Sequence, residues 1–308
     1  MPDCTIIGGG FDGLVRTDLV SLAGGIGLLA LCMAMRPARA VVAETSLVAP
    51  WRWLIVGVGV VSVAFVGQAS GLIPERWAGR CDYLAAVALL APPIAVLGAR
   101  RPGAGVWGWF VVLPMVCVLG LPAVTGGWWR GGEVAPLRLE WPPLIGFALV
   151  LVMGVGNYVG TRFTLPALLY GAAVALHAAP ASEFVAVDRP AASMLASGSL
   201  VGLGVAAWLA VRAARQAPAA RHPLDSLWLD FRDLFGIVWA KRALERVNHS
   251  ARAQRWPVRL HLDGFAPVEG DAPASIDPET SERIETLLRW LLKRFVEPDW
   301  IDRRLNRA

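Results

Sequence analysis

The chain has 308 residues, 56% of them hydrophobic and 17% charged, with a mean hydropathy of +0.52. Soluble domains carry about a quarter charged residues, so this composition excludes an ordinary soluble protein along the whole length. The net charge of +5 does not point to nucleic acid, because the basic excess lies mainly in loops beside apolar segments.

About seven apolar segments, each roughly 17 to 21 residues, have the length that crosses a hydrocarbon core. They run over residues 19–35, 53–73, 83–99, 106–124, 144–161, 163–179 and 191–211. Nearly all bases are arginine, with Lys241 and Lys293 the two lysines. With so much alanine and glycine, this bias suggests GC-rich coding and a bacterial source. The first segment has no basic stretch before it and no A-x-A site after it, so it is expected to remain as a helix rather than act as a signal peptide.

The loops alternate in charge. Arg36, Arg39 and Arg52 follow the first segment, Arg100 and Arg101 the third, Arg162 the fifth, and Arg212, Arg215 and Arg221 the seventh. The intervening loops are neutral or acidic, with Glu75 and Asp82, Glu133 and Glu140, and Glu183 and Asp188 offsetting their arginines. The positive-inside rule then places the N-terminus outside and the C-terminus in the cytoplasm of a bacterial inner membrane. The fifth and sixth segments are separated by Arg162 alone. Asn157, Gly160, Thr161, Thr164 and Pro166 supply turn and capping chemistry for a tight helical hairpin, and a re-entrant pair is the alternative.

Gly8, Gly10 and Gly13 satisfy G-x-G-x-x-G, yet a membrane-length segment follows and no second strand appears, so residues 1–18 read as a glycine-rich leader on the outside rather than a dinucleotide loop. Cys32 and Cys117 lie inside apolar segments and read as packing residues. Cys4 and Cys81 both fall outside, where a bridge is permitted. His177, His222, His249 and His261 are scattered, with no metal-site spacing. No cofactor and no metal is expected.

The loop after the fourth segment reads Gly126-Gly127-Trp128-Trp129-Arg130, with Trp141 further on. Tryptophan-rich outer loops occur in haem-handling membrane proteins of cytochrome c assembly, but this one lacks their fuller W-G-x-x-W-x-W-D pattern and a paired second outer histidine. The loop, with His177 near the same face, makes Trp128, Trp129 and His177 candidate cofactor contacts. An interfacial aromatic belt accounts for the same tryptophans.

Inside the segments the polar exceptions are Gln68 and Asn157, and the scarcity of ionisable groups argues against proton-coupled transport. Gly67 and Gly71, Gly156 and Gly160, and Gly198 and Gly202 form three G-x-x-x-G pairs, which with Asn157 are candidate helix-packing positions. Pro92-Pro93 and Pro114 are expected to kink their helices.

Residues 216–223 form a linker. From Leu224, apolar residues recur at three and four: Leu227, Trp228, Phe231, Leu234, Phe235, Val238 and Trp239. The aromatic stripe Trp228, Phe231, Phe235 and Trp239 is expected to pack under the rest of the tail; the alternative is contact with the inner leaflet or a partner. A short strand over Pro257 to Phe265, with an edge open to partner strands, precedes a helix started by Asp277-Pro278.

The expected fold is an all-α polytopic bundle of about seven transmembrane helices over 19–215, with a small cytoplasmic α-β-α domain over 224–308. No Ser-His-Asp or Cys-His constellation has supporting spacing. The expected function is a non-enzymatic component that binds another membrane protein or a cytoplasmic protein through its tail, in contact with the lipid bilayer and not with nucleic acid. A transporter or permease subunit for a neutral or hydrophobic molecule is the alternative, and a haem-handling or other assembly factor the third reading.

Overall fold

The computed structural model describes residues 9–125, 136–216, 222–268 and 276–306. The helices run α1 Gly9–Val42, α2 Val48–Ala69, α3 Glu75–Leu97, α4 Ala104–Trp107, α5 Leu113–Thr125, α6 Trp141–Gly156, α7 Thr164–Ala178, α8 Arg189–Arg215, α9 Pro223–Ala253, α10 Pro278–Leu292 and α11 Pro298–Leu305. Strands β1 Val258–His261 and β2 Gly264–Pro267 pair antiparallel. A π-helical turn, Gly108–Val112, joins α4 to α5 just before Pro114. Proline cannot donate to the carbonyl four residues back, and a widened turn absorbs the mismatch.

Among the described residues, six stretches are long and apolar enough to cross a membrane: Leu19–Val42, Val48–Ala69, Glu75–Leu97, Ala104–Thr125, Thr164–Ala181 and Arg189–Arg215. Large apolar side chains such as Leu22, Leu29, Phe110, Val118 and Leu149 are exposed on the outside of the bundle, as embedding in lipid requires. The fifth apolar segment, Trp141–Gly156, has 16 residues, about 24 Å at 1.5 Å per residue, against a core of about 30 Å.

Two helix starts differ from the sequence reading. α1 begins by Gly9, so Gly10 and Gly13 lie within a helix and do not form a phosphate-cradling loop. Gly8 and Cys4 lie outside the described residues, and the possible Cys4–Cys81 bridge with them. α3 begins at Glu75, eight residues before the expected start at Tyr83. Pro74 breaks the preceding chain and Glu75 complements the helix dipole. Arg80, Cys81 and Asp82 therefore belong to a spanning helix and not to a loop.

α3 is the hub. Its apolar window is 72% buried, against 17–39% for the other five spans. Pro93 leaves the Leu89 carbonyl without its helical donor, and the Tyr170 hydroxyl donates to that carbonyl. The indoles of Trp107 and Trp239 donate to the Ile94 and Val96 carbonyls at the C-terminus of α3, both at 3.1 Å.

Of the three G-x-x-x-G pairs, one packs helices. A Cβ on Gly202 would lie 3.1 Å from Ala173 Cβ, and one on Gly198 would meet Leu176 at 3.8 Å. Gly67 instead makes room for Ile73 of its own chain, and Gly71, at φ +73°, reverses the chain between α2 and α3. Gly156 faces open space and Gly160, at φ +83°, turns the chain between α6 and α7. The spacing alone does not tell a helix face from a helix end. The closest helix approach lies elsewhere, between α1 and α8, where a Cβ on Gly27 would sit 2.5 Å from the Val201 nitrogen and one on Gly204 2.7 Å from the Gly27 carbonyl oxygen.

The tail comprises α9, the β1–β2 hairpin, α10 and α11. Asp277 caps α10 by accepting from the Thr280 amide at 2.8 Å, and these Thr280 hydrogen bonds hold its carboxyl below the usual carboxylate range. The second strand breaks the expected α-β-α order; it is short and ends on Pro267, which hid it from pattern reading. The edge of β1 is not open at Leu260. Asn248 of α9 accepts from the Leu260 amide at 2.9 Å and donates to its carbonyl at 2.7 Å, in place of a neighbouring strand.

The aromatic stripe packs under the rest of the tail, as expected, and the alternative of a leaflet or partner contact is corrected. Trp228, Phe231 and Phe235 are 0% exposed and Trp239 8%. Phe231 stacks on Phe235 with centroids 5.0 Å apart, and Phe295 meets Phe231, Phe235 and Trp239 edge-on. Trp228, Phe231 and Phe235 are enclosed within the tail and Trp239 lies against α3, so none is displayed on the surface.

Candidate functional site

The tail sits on one end of the bundle, against the loops that join α1 to α2, α3 to α4 and α6 to α7. All three bond to it through the main chain. The Ser46 amide donates to the Phe295 carbonyl at 2.7 Å, the Arg101 amide to Arg294 at 2.8 Å, and the Glu297 amide to Glu44 at 2.9 Å. The tail's core cluster includes Leu47, Val96 and Ala99 of the bundle.

The tightest junction is a clip at Asn157. α9 breaks at Gly236, whose φ of 78° and ψ of 175° suit glycine alone. Asn157 fills the break. Its amide donates to the Phe235 carbonyl at 3.2 Å, its side-chain oxygen accepts from Val238 at 3.0 Å, and its carbonyl accepts from Ile237 at 2.8 Å. Asn157 is thus a joint between membrane half and tail, where the sequence suggested a helix-packing residue. A Cβ on Gly236 would lie 2.2 Å from the Asn157 amide nitrogen. Gly236→Ala is therefore expected to destabilise the docked tail by about 3 kcal/mol through backbone strain and lost hydrogen bonds. Chemical denaturation of the purified protein, followed by tryptophan fluorescence, measures it.

Beside the clip lies a buried ionic network. Arg162, from the α6–α7 loop, donates to Asp230 at 2.7 Å and lies 3.4 Å from Asp233. Arg304 of α11 donates to the other oxygen of Asp230 at 2.6 Å, and Arg232 binds Asp233 at 2.7 Å. Burial pushes the Asp233 carboxyl above the usual carboxylate range, and Arg232 and Arg162 pull it partly back.

Beneath this roof lies an apolar chamber of about 310 Å³. Its lining comprises Leu31, Met35 and Ala38 of α1, Trp51 and Leu54 of α2, and Pro92, Pro93 and Val96 of α3. Val155, Tyr158, Ala167 and Tyr170, with Leu203, Ala207, Ala210 and Ala214 of α8 and Leu234 of the tail, complete it. The polar groups of the wall are turned away from it. Tyr158 donates to the Leu234 carbonyl at 3.4 Å, Tyr170 to Leu89, and the Trp51 indole to Met35 at 3.4 Å. The chamber exists because α1 packs on α8 and α2 on α3, while Pro92-Pro93 and the alanines of α8 leave no bulk between the pairs.

At the opposite end, three helices bring together polar groups that the sequence kept apart. Gln68 of α2 donates to Asp82 of α3 at 2.8 Å, and the His177 Nε2 of α7 lies 3.9 Å from the same carboxyl oxygen. His177 is 4% exposed, and neither ring nitrogen has a hydrogen-bond partner within the described residues. It is enclosed, not displayed on the outer surface where the haem reading needs it. Trp128 and Trp129 lie outside the described residues. Arg80 donates to the Ala123 carbonyl at 2.9 Å, at the C-terminus of α5. Sequence reasoning missed Asp82 because it counted as loop charge; the Pro74-Glu75 pair was the available sign of an earlier helix start.

No protein-family model matches the chain, and no curated protein or solved structure is significantly similar to it. The functional reading therefore rests on the geometry.

Proposed function

We propose that this chain is an integral protein of a bacterial inner membrane, with seven spans, N-terminus outside and tail in the cytoplasm, that holds an apolar molecule in the chamber beneath its tail. It is a binding or transport component and not an enzyme. The chamber carries the reading: about 310 Å³, at the lower end of the range of small-molecule sites, roughly 300–1,000 Å³, with its wall hydrogen bonds already made. The orientation is supported by Arg36 and Arg39 at the end of α1 and by Arg100, Arg101 and Arg162 in the loops, which all lie on the tail side. The short α6 completes the seventh span by local thinning of the bilayer or by its flanking loops.

The test is binding of N-phenyl-1-naphthylamine to the purified full-length protein, read by fluorescence. Ala210→Trp and the milder Ala167→Leu are expected to lower saturable binding tenfold or more and about threefold, respectively, while elution stays monodisperse. Unchanged binding in both variants would overturn the chamber reading. Partner binding through the tail is the second reading. Its support is the exposed face of α10, where Trp290 is 54% exposed.

A further inference from the structure

Arginines flank the tail-side end of the chamber. Arg39 lies over the ring of Trp51, a wall residue, with its guanidinium carbon 5.3 Å from the centroid. α1 and α8 run in the same direction, and Gly27 meets Leu200 and Val201 while Gly204 meets Gly27 and Ala30. That register brings Arg39 to the level of Arg212 and Arg215, and Ala38 and Ala214 beside them both line the chamber. Arg36, Arg39, Arg52, Arg212 and Arg215 are exposed and in no ion pair among the described residues. Arg101, Arg162, Arg303 and Arg304 of the docking seam, by contrast, are matched by carboxylates.

An apolar slot between spans with unmatched guanidiniums at its cytoplasmic rim has the chemistry of a phospholipid site. From this we infer that the occupant is an anionic phospholipid of the inner leaflet: one acyl chain fills the chamber and the phosphate group lies between Arg39 and Arg215. The inference rests on the chamber reading and names its ligand. The apolar wall gives the chain its place. The rim selects the headgroup, because a zwitterionic lipid brings no net charge to neutralise the arginines. Arg39 is held by its ring contact, so it stands at the mouth with less freedom to lose on binding.

The experiment displaces N-phenyl-1-naphthylamine from the delipidated full-length protein, using mixed micelles containing phosphatidylglycerol or phosphatidylcholine. Phosphatidylglycerol is expected to displace the probe at roughly twenty-fivefold lower mole fraction, with about fivefold of preference lost per arginine removed. Arg39→Gln with Arg215→Gln should bring the two lipids within about twofold, while the probe itself still binds. Raising the salt to half molar should also shrink the preference. Glycerol 3-phosphate, which has the phosphate but no chain, should displace nothing. Equal potency of the two lipids in the parent protein would overturn the inference, as would a preference that survives the double substitution or displacement by glycerol 3-phosphate. Each of these results leaves the chamber reading intact. Failure of Ala210→Trp and Ala167→Leu to affect probe binding removes the chamber reading itself.

Discussion

Asp230→Ala is expected to release the tail from the membrane half. The residue is 3% exposed and accepts from two guanidiniums, Arg162 of the α6–α7 loop and Arg304 of α11. Its removal leaves both cations in a poorly solvated seam. Breaking one side of a buried pair costs about 3–5 kcal/mol, more than the pair contributes as a unit, because the remaining charge is stranded. Hydrogen exchange of the full-length protein in detergent measures the effect. The amides of Ser46, Arg101, Ile237 and Glu297, which carry the docking bonds, should lose protection together, by roughly a hundred- to a thousandfold. Arg162→Lys should fall between the two, since one ammonium cannot reach Asp230 and Asp233 with a fork. Retained protection in Asp230→Ala would mean that the main-chain bonds alone hold the tail.

Phe231→Ala should have an effect of similar size by a different route. Phe231 is 0% exposed and contacts Trp228, Phe235 and Phe295. Truncation leaves a cavity among rigid rings that cannot close over it. Such changes cost about 3–5 kcal/mol, and the lost ring pairs add to the area lost. The stability of the tail in the full chain should fall by that amount in denaturant, with no loss of protection inside α3. Phe231→Leu should cost less than half as much. If Phe231→Ala proved near neutral and the protein gained affinity for liposomes, the stripe would be a membrane contact after all.

The sequence made the spans and the tail helices legible because periodicity and length are local. Leu227, Trp228, Phe231, Leu234 and Phe235 announced a buried face, and Asp277-Pro278 a helix start. The net-positive helix ends and loops resolve to one end of the bundle, which the charges alone implied. What stayed hidden depended on distance or on context. Gly236 sits inside an unbroken apolar pattern, and only its partner Asn157, from the far side of the linker, reveals it as a break. Asp230 and Arg162 are each unremarkable in their own segments; their pairing spans 68 residues. Gly67 and Gly71 had a packing spacing but lay at a chain reversal. Asp82 was assigned to a loop because its helix begins with charged residues. The chamber was the least legible element, since it is made of what alanines and prolines leave empty.

The docking bonds also bear on how the chain is made. They join residues 44–46, 101 and 157–162 to partners between 230 and 303, so each can close only after the spans that precede the tail in the chain have been made. By then every span has been inserted. A hairpin inserted upside down would carry its loop to the other compartment, leaving Gly236 unclipped and Asp230 facing water without Arg162. The tail would then keep bare main-chain groups and apolar surface, the features by which quality-control proteases select their targets. Docking of the tail thus depends on correct membrane insertion: only a chain with all three loops in one compartment can make these bonds.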